Sequence, residues 1–149
     1  MFESYDKNIG NFTNLVNKKM VYFLNSQLAI FDITAEQWQV LFKLSKQNKI
    51  NQKVLSQIVN KDQPTLTRML DILERKTLVE RHASKEDRRS FSIHITEKGL
   101  ALTEKITPFL EDIFKKILNE ISGKDLQIYL DVLIKIDSNI TNLETYKYD

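Results

Sequence analysis

The sequence predicts a mainly α-helical protein with one small β-hairpin, and three observations carry that prediction. Glycine and proline together supply 5 of 149 residues, against roughly 12% for the pair in average usage, which leaves little from which to build hairpin-rich all-β folds or glycine-rich phosphate loops. Apolar residues recur at helical spacing along most of the chain, the pattern of amphipathic helices. Only 78–83 and 91–96 alternate with period two, and they flank the polar, highly charged stretch 84–90, which is the pattern of a hairpin with a charged tip. A length of 149 residues fits one domain, 1–149.

Each element has its own signal. Tyr5, Ile9, Phe12, Val16, Met20 and Phe23 form one stripe of a long first helix reaching about Leu28. Val21, Tyr22 and Leu24 widen that stripe, so the helix is expected to bury one side against its own domain and another against something else, such as a second subunit. Thr34 and Gln37 make a capping box that opens a second helix, with Trp38, Leu41, Phe42 and Ser45 as its expected core face. A short helix from Asn51 carries Val54, Leu55, Ile58 and Val59. Asp62 caps the next helix, where Pro64 is tolerated because the first turn has no partner for the missing N–H. Its Leu66, Met69, Leu70 and Leu73 face inward, and Gln63, Thr65, Thr67, Arg68 and Asp71 form the opposite face.

After the hairpin, Thr96 caps a helix running through Leu100, Ile106, Leu110, Ile113 and Ile117. Pro108 within it removes a backbone hydrogen bond at about 3 kcal/mol, so a kink is expected near Thr107. Ser122-Gly123 breaks the chain before a last helix from about Lys124 to Leu143.

Several function classes fall away. There is no cysteine, which removes disulfides, thiol nucleophiles and cysteine-ligated zinc. No apolar run approaches the ~18–20 residues of a membrane span, and the first residues lack the basic and apolar regions of a signal peptide, so a cytoplasmic protein is expected. No serine–histidine–acid set, phosphate loop or carboxylate pair stands out, so neither an enzyme nor a cofactor is expected. His82 and His94 sit on the two hairpin strands. Even with Glu80 they fall short of the three or four ligands a metal site usually needs.

The formal net charge of +2 conceals an asymmetry: residues 43–98 carry a net +6 and the remainder a net −4. Such a distribution suits a polyanion-facing centre between acidic ends. Three short helices followed by a hairpin, with long helices on both sides, is the order of a winged helix-turn-helix, here over 34–98. The helix opened by Asp62 is narrow enough for the roughly 12 Å major groove. Arg68 is the best candidate for bidentate contact with guanine, and Gln63, Thr65 and Thr67 could meet bases or phosphates near the helix start. Arg88 and Arg89 at the hairpin tip suit an A·T-rich minor groove. Asp87 either pairs with Arg89 and orients it, or satisfies backbone donors in a solvated turn.

The run Leu55-Ser-Gln-Ile, then Gln63-Pro-Thr-Leu-Thr-Arg-Met-Leu-Asp71, Leu78-Val-Glu-Arg81, Asp87-Arg-Arg89 and Ile95-Thr-Glu-Lys-Gly99 resembles the MarR family of bacterial transcriptional regulators, and most closely its SlyA-like branch. The resemblance covers about residues 30–125 by motif. It implies a homodimer joined by terminal dimerisation helices, 1–30 and 100–145, with one helix in the major groove and a wing arginine in the minor groove of double-stranded DNA. Pro64, Thr65 and Arg68 match the recognition-helix contacts, and Arg88 and Arg89 match wing contacts oriented by Asp87. It further implies a cavity for small aromatic or phenolic acids, in which Trp38 supplies a stacking face and Lys18 meets a carboxylate.

In one respect the chain departs from the family: Thr77 stands where glycine is usual, so a β-branched residue must make the turn into the wing. The expectation is a sequence-specific dimeric regulator on a pseudo-palindromic site, repressing by occlusion or activating by displacing a nucleoid protein. The alternative is a winged-helix module that docks on protein instead of DNA.

Overall fold

The computed structural model of the chain describes residues 2–83 and 91–145, with burial defined for 9–83 and 91–143. The described elements run α1 (Phe2–Leu28), a 3-10 turn (Ala29–Phe31), α2 (Ala35–Lys46), β1 (Ile50–Asn51), α3 (Gln52–Ile58), α4 (Gln63–Arg75), β2 (Val79–Ala83), β3 (Phe91–Ile95), α5 (Glu97–Ile117) and α6 (Gly123–Thr145). The fold is thus the mainly helical one expected, with a winged helix-turn-helix at its centre. Among the described residues no helix is long and apolar enough to cross a membrane.

The sheet has three strands rather than the two expected, in the antiparallel order β1-β3-β2. Ile50 pairs with Ile93 and Asn51 with Ser92. Two residues are too few to show a period in sequence, which is why Asn51 reads only as a helix start. It is both: its side chain accepts from the Lys53 N–H at 2.9 Å and caps α3. The neighbouring Asn48 accepts from the Ile95 N–H at 2.9 Å, fastening the same edge.

One compact unit ends at Thr107 and a second begins at Pro108. The helix assignment of α5 continues through Pro108. At the end of the first unit the Thr107 hydroxyl donates to the Thr103 carbonyl at 2.7 Å.

The core of the first unit gathers Leu28, Val40, Leu41, Leu44, Leu55, Leu66, Leu70, Leu73 and Ile93, each fully buried. The α4 prediction holds at all four inward positions, with Leu66, Met69, Leu70 and Leu73 buried. The α2 prediction needs rotating. Its buried residues are Gln37, Val40, Leu41 and Leu44, while Trp38, Phe42 and Ser45 are only half-buried. The Trp38 and Phe42 rings pack on each other instead, with centroids 5.4 Å apart. Gln37 is buried because it completes the capping box: its N–H donates to the Thr34 hydroxyl at 3.2 Å, and its side-chain oxygen accepts from the Thr34 N–H at 3.1 Å. In α3 Leu55 is buried, as is Val59 at its C-cap, but Val54 and Ile58 lie on the exposed side.

Much of the α1 stripe remains uncovered in the single chain, including Ile9, Phe12 and Phe23. Along α6 the same is true of Ile128, Leu130, Ile134, Ile140 and Leu143.

Candidate nucleic-acid interface

The start of α4 is built by Asp62. Its carboxylate accepts from the Thr65 N–H at 2.8 Å and from the Thr65 hydroxyl at 2.9 Å. These hydrogen bonds to the backbone and side chain of Thr65, with a smaller contribution from the positive charge of Arg68, hold the Asp62 carboxyl below its ordinary range. Pro64 stands in the first turn, as expected from its missing donor.

Of the predicted contact residues, Gln63, Pro64 and Arg68 are exposed on α4, and Thr65 and Thr67 are half-buried. Their side chains are not equally free. Gln63 donates to the Ser56 hydroxyl of α3 at 2.8 Å, and Thr67 accepts from the Gln52 amide at 2.9 Å. The Thr65 hydroxyl is committed to the cap. Arg68 differs: among the described residues no hydrogen bond or ion pair ties down its guanidinium, whereas Lys61, Lys76 and Arg81 are paired with Glu36, Asp32 and Asp71. The structure therefore brings these five positions together on the first turns of one helix and leaves Arg68 the most available donor. Asp87, Arg88 and Arg89 lie outside the described residues.

Arg81 of β2 is a positioning residue that sequence reasoning missed. Its guanidinium reaches the Asp71 carboxylate at 2.6 Å, the Glu74 carboxylate at 3.3 Å and the Thr67 carbonyl at 3.0 Å. Three contacts from one side chain lock the wing strand to the recognition helix over two of its turns, while the buried Arg81 Nε has no hydrogen-bond partner among the described residues. Asp71 and Glu74, three apart on α4, were the available signal, since they share a helix face and need a cation.

The exit from α4 is a second fixed point. The Thr77 N–H donates to the Glu74 carbonyl at 2.8 Å and the Leu78 N–H to the Leu73 carbonyl at 2.9 Å, the double closure of a Schellman turn. Thr77 occupies its left-handed position, with φ of 59°. The Thr96 hydroxyl donates to the Thr77 carbonyl at 2.8 Å, and Lys98 donates to the Lys76 carbonyl at 2.7 Å and to the Thr77 hydroxyl at 3.0 Å. Gly99 is required here, because a Cβ would lie 2.3 Å from the Leu78 carbonyl oxygen.

On the wing, His82 and His94 stack with centroids 4.0 Å apart. Burial, the His82 ring and Lys49 lower the His94 pKa from 6.5. Among the described residues no group of three metal-ligating side chains converges. Trp38 is half-buried on α2 and Lys18 is exposed on α1. Two cavities in the first unit have other walls, one including Phe31, Lys98 and Lys105 and the other Asn25, Thr34 and Gln37.

A helix with a capped, polar leading face, braced by the strands of a wing, defines the class of winged helix-turn-helix proteins to which transcription regulators belong. The MarR family model matches residues 33–91, spanning α2 to the start of β3. The match covers the winged helix-turn-helix, and the chain is similar over most of its length to solved structures of MarR-family proteins. It is similar to MepR of S. aureus in a complex with DNA, at 25% identity, a TM-score of 0.81 and coverage of 88% of this chain and 97% of that one. It is similar also to a mutant MarR from E. coli complexed with operator DNA, at 27% identity, a TM-score of 0.82 and coverage of 91% and 98%. The reduced form of MarR from E. coli matches at 29% identity and a TM-score of 0.72, over 86% of this chain and 95% of that one. The family and fold are those of transcription regulators rather than enzymes.

Proposed function

We propose that the protein is a cytoplasmic, homodimeric regulator that binds a pseudo-palindromic, A·T-rich DNA site with half-sites about one helical turn apart. The observation that carries this reading is the contrast along α4. Gln63, Thr65 and Thr67 are held by neighbouring side chains, Arg81 and Asp62 fix both ends of that face, and Arg68 projects from it without a partner among the described residues. A rigid polar face with one free guanidinium is suited to the major groove, where arginine contacts guanine bidentately. The net +6 of residues 43–98 supplies attraction to phosphates. Arg88 and Arg89 take the minor groove, with Asp87 orienting Arg89. The DNA-bound MepR and MarR relatives support the same assignment.

Dimerisation is assigned to the terminal helices, 1–30 and 100–145, because α1 and α6 carry apolar faces that the single chain leaves open. Within the family, the run from Leu55 to Gly99 places the chain nearest the SlyA-like branch. Small aromatic acids acting at Lys18 and Trp38 would release DNA by favouring a spacing of the two recognition helices that successive grooves cannot accept. Regulation then proceeds by occlusion of a promoter or by displacement of a nucleoid protein.

Salt titration of operator binding tests the reading against docking on a protein. Each neutralised phosphate should steepen the log–log slope by about 0.9, and a slope near zero would favour the protein-docking module.

A further inference from the structure

Two hydroxyl groups fix the hydrogen-bond polarity of the leading face of α4. Ser56 of α3 is buried, at 5% exposure, and its hydroxyl donates to the Lys53 carbonyl at 2.7 Å. A serine hydroxyl has one hydrogen to give. The 2.8 Å contact between Ser56 and Gln63 must therefore run from the Gln63 amide nitrogen to the Ser56 oxygen. Turning the amide over would set its carbonyl oxygen against a hydroxyl whose hydrogen is already spent. Gln63 Oε1 is thus the free end of the amide, and among the described residues nothing donates to it.

Thr65 has the same polarity. Its hydroxyl donates to the Asp62 carboxylate at 2.9 Å, and an ionised carboxylate only accepts, so Thr65 has lone pairs left and no hydrogen. Backbone donors are scarce in this turn as well. Pro64 has none, the Thr65 N–H serves the Asp62 carboxylate at 2.8 Å, and the Leu66 N–H serves the Asp62 carbonyl at 3.0 Å. Acceptors beside an exposed carboxylate repel phosphate oxygens and call for a donor.

The donors that base pairs present in the major groove are the exocyclic amino groups of adenine and cytosine. Adenine sets its amino group beside N7 on one edge, the pair that a glutamine amide meets bidentately, and Gln63 keeps one N–H after serving Ser56. We propose that Gln63 reads an adenine in each half-site, its Oε1 accepting from the exocyclic amino group. Ser56 is the positioning residue, which holds the amide in that orientation from inside the fold. Both roles rest on the placement of α4 in the major groove.

In the test, the full chain selects a duplex from a pool randomised over about 20 bp, enough for two half-sites one helical turn apart. Each adenine of that duplex is then replaced by purine, which lacks only the amino group, and Kd is measured by fluorescence anisotropy. At one adenine per half-site the replacement should cost about tenfold. Gln63→Met should bind the adenine and purine duplexes equally at that position. Ser56→Ala should reduce the ratio to about twofold, because a released amide can turn over. A serine that only supports the fold would weaken both duplexes alike and keep the ratio. A parent chain that selects no sequence would overturn the DNA reading and these roles together. With a sequence selected, no adenine that responds to purine, or a response that persists in Gln63→Met, would overturn the role of Gln63 alone. An unchanged ratio in Ser56→Ala would overturn that of Ser56.

Discussion

The guanidinium of Arg81 on the first wing strand lies 2.6 Å from the Asp71 carboxylate on the recognition helix, and it reaches Glu74 and the Thr67 carbonyl from the same position. Arg81 is the less exposed member of both ion pairs, at 18% against 49% for Asp71 and 43% for Glu74. Removing it leaves two acids without their cation, whereas removing Asp71 leaves the arginine two other acceptors. Arg81→Met should therefore destabilise the protein by about 1–3 kcal/mol, and Asp71→Ala by less. Urea denaturation of both variants measures the difference. Equal losses would show that Glu74 and the Thr67 carbonyl contribute little.

Thr77 makes the left-handed turn after α4 with a β-branched side chain, at φ of 59°. An L-residue there costs roughly 1–2 kcal/mol relative to glycine, partly offset by the hydrogen bond that its hydroxyl accepts from Lys98. Thr77→Gly should raise stability by about 0.5–1 kcal/mol, since the backbone bonds from Thr77 and Leu78 survive the change. Thr77→Val keeps the strain and loses the hydroxyl, so it should lower stability. Denaturant midpoints order the three proteins, and a Thr77→Gly variant weaker than the parent would show that the Lys98 contact outweighs the strain.

Stability should also depend on pH through the wing. Burial, the stacked His82 ring and Lys49 all disfavour protonated His94, with Glu80 opposing them. The folded state thus binds this proton less readily than the unfolded chain, whose histidine titrates near 6.5. The sign follows: the contribution is present above pH 6.5 and is lost as pH falls through the lower, folded value. Thermal melting points should fall over that range, and His94→Gln should flatten the profile there. An unchanged profile in the variant would place the acid sensitivity elsewhere.

Gly99 separates the cap of α5 from the wing, and Cβ atoms built there approach Leu78 O to 2.3 Å and Ile95 Cγ1 to 2.7 Å. The nearer atom belongs to backbone that also accepts the Thr96 N–H at 3.1 Å, so it has little freedom to withdraw. Gly99→Ala should cost about 1–3 kcal/mol through displacement of the helix start, despite the better helix propensity of alanine. A melting point at or above that of the parent would contradict the close approach.

Legibility in the sequence followed the range of each interaction. The Thr34–Gln37 box, the Asp62 cap, Pro64 and the four apolar positions of α4 are local, and periodicity with capping chemistry reads them directly. The position of Thr77 was visible as a departure from the family pattern, and its positive φ gives that departure a physical form. The two-residue strand β1, the rotation of α2 toward Val40 and Leu44, and the three contacts of Arg81 depend on partners far away along the chain. The half-burial of Trp38 has a local origin instead: an aromatic residue can satisfy its surface against a neighbour on its own helix, here Phe42, without entering the core.

Arg68 and Thr67 stand side by side on α4 yet should behave differently when changed. Arg68 is exposed and makes no hydrogen bond or ion pair among the described residues, and its charge contributes only the smaller part of the pull on Asp62, so Arg68→Ala should leave the melting point within the small range typical of surface substitutions. Its effect should appear on DNA, as a loss of about 1–3 kcal/mol with relaxed preference at one base pair. Thr67 accepts from Gln52 and shares its backbone carbonyl with Arg81. Thr67→Val leaves the Gln52 amide without that acceptor, and should lower stability by about 1 kcal/mol. Melting curves and binding to a set of single-base operator variants, measured on the same preparations, separate the two roles. An Arg68→Ala protein that binds every operator variant with the parent's affinity would remove Arg68 from the reading surface, and the recognition role would then fall to Gln63 and Pro64.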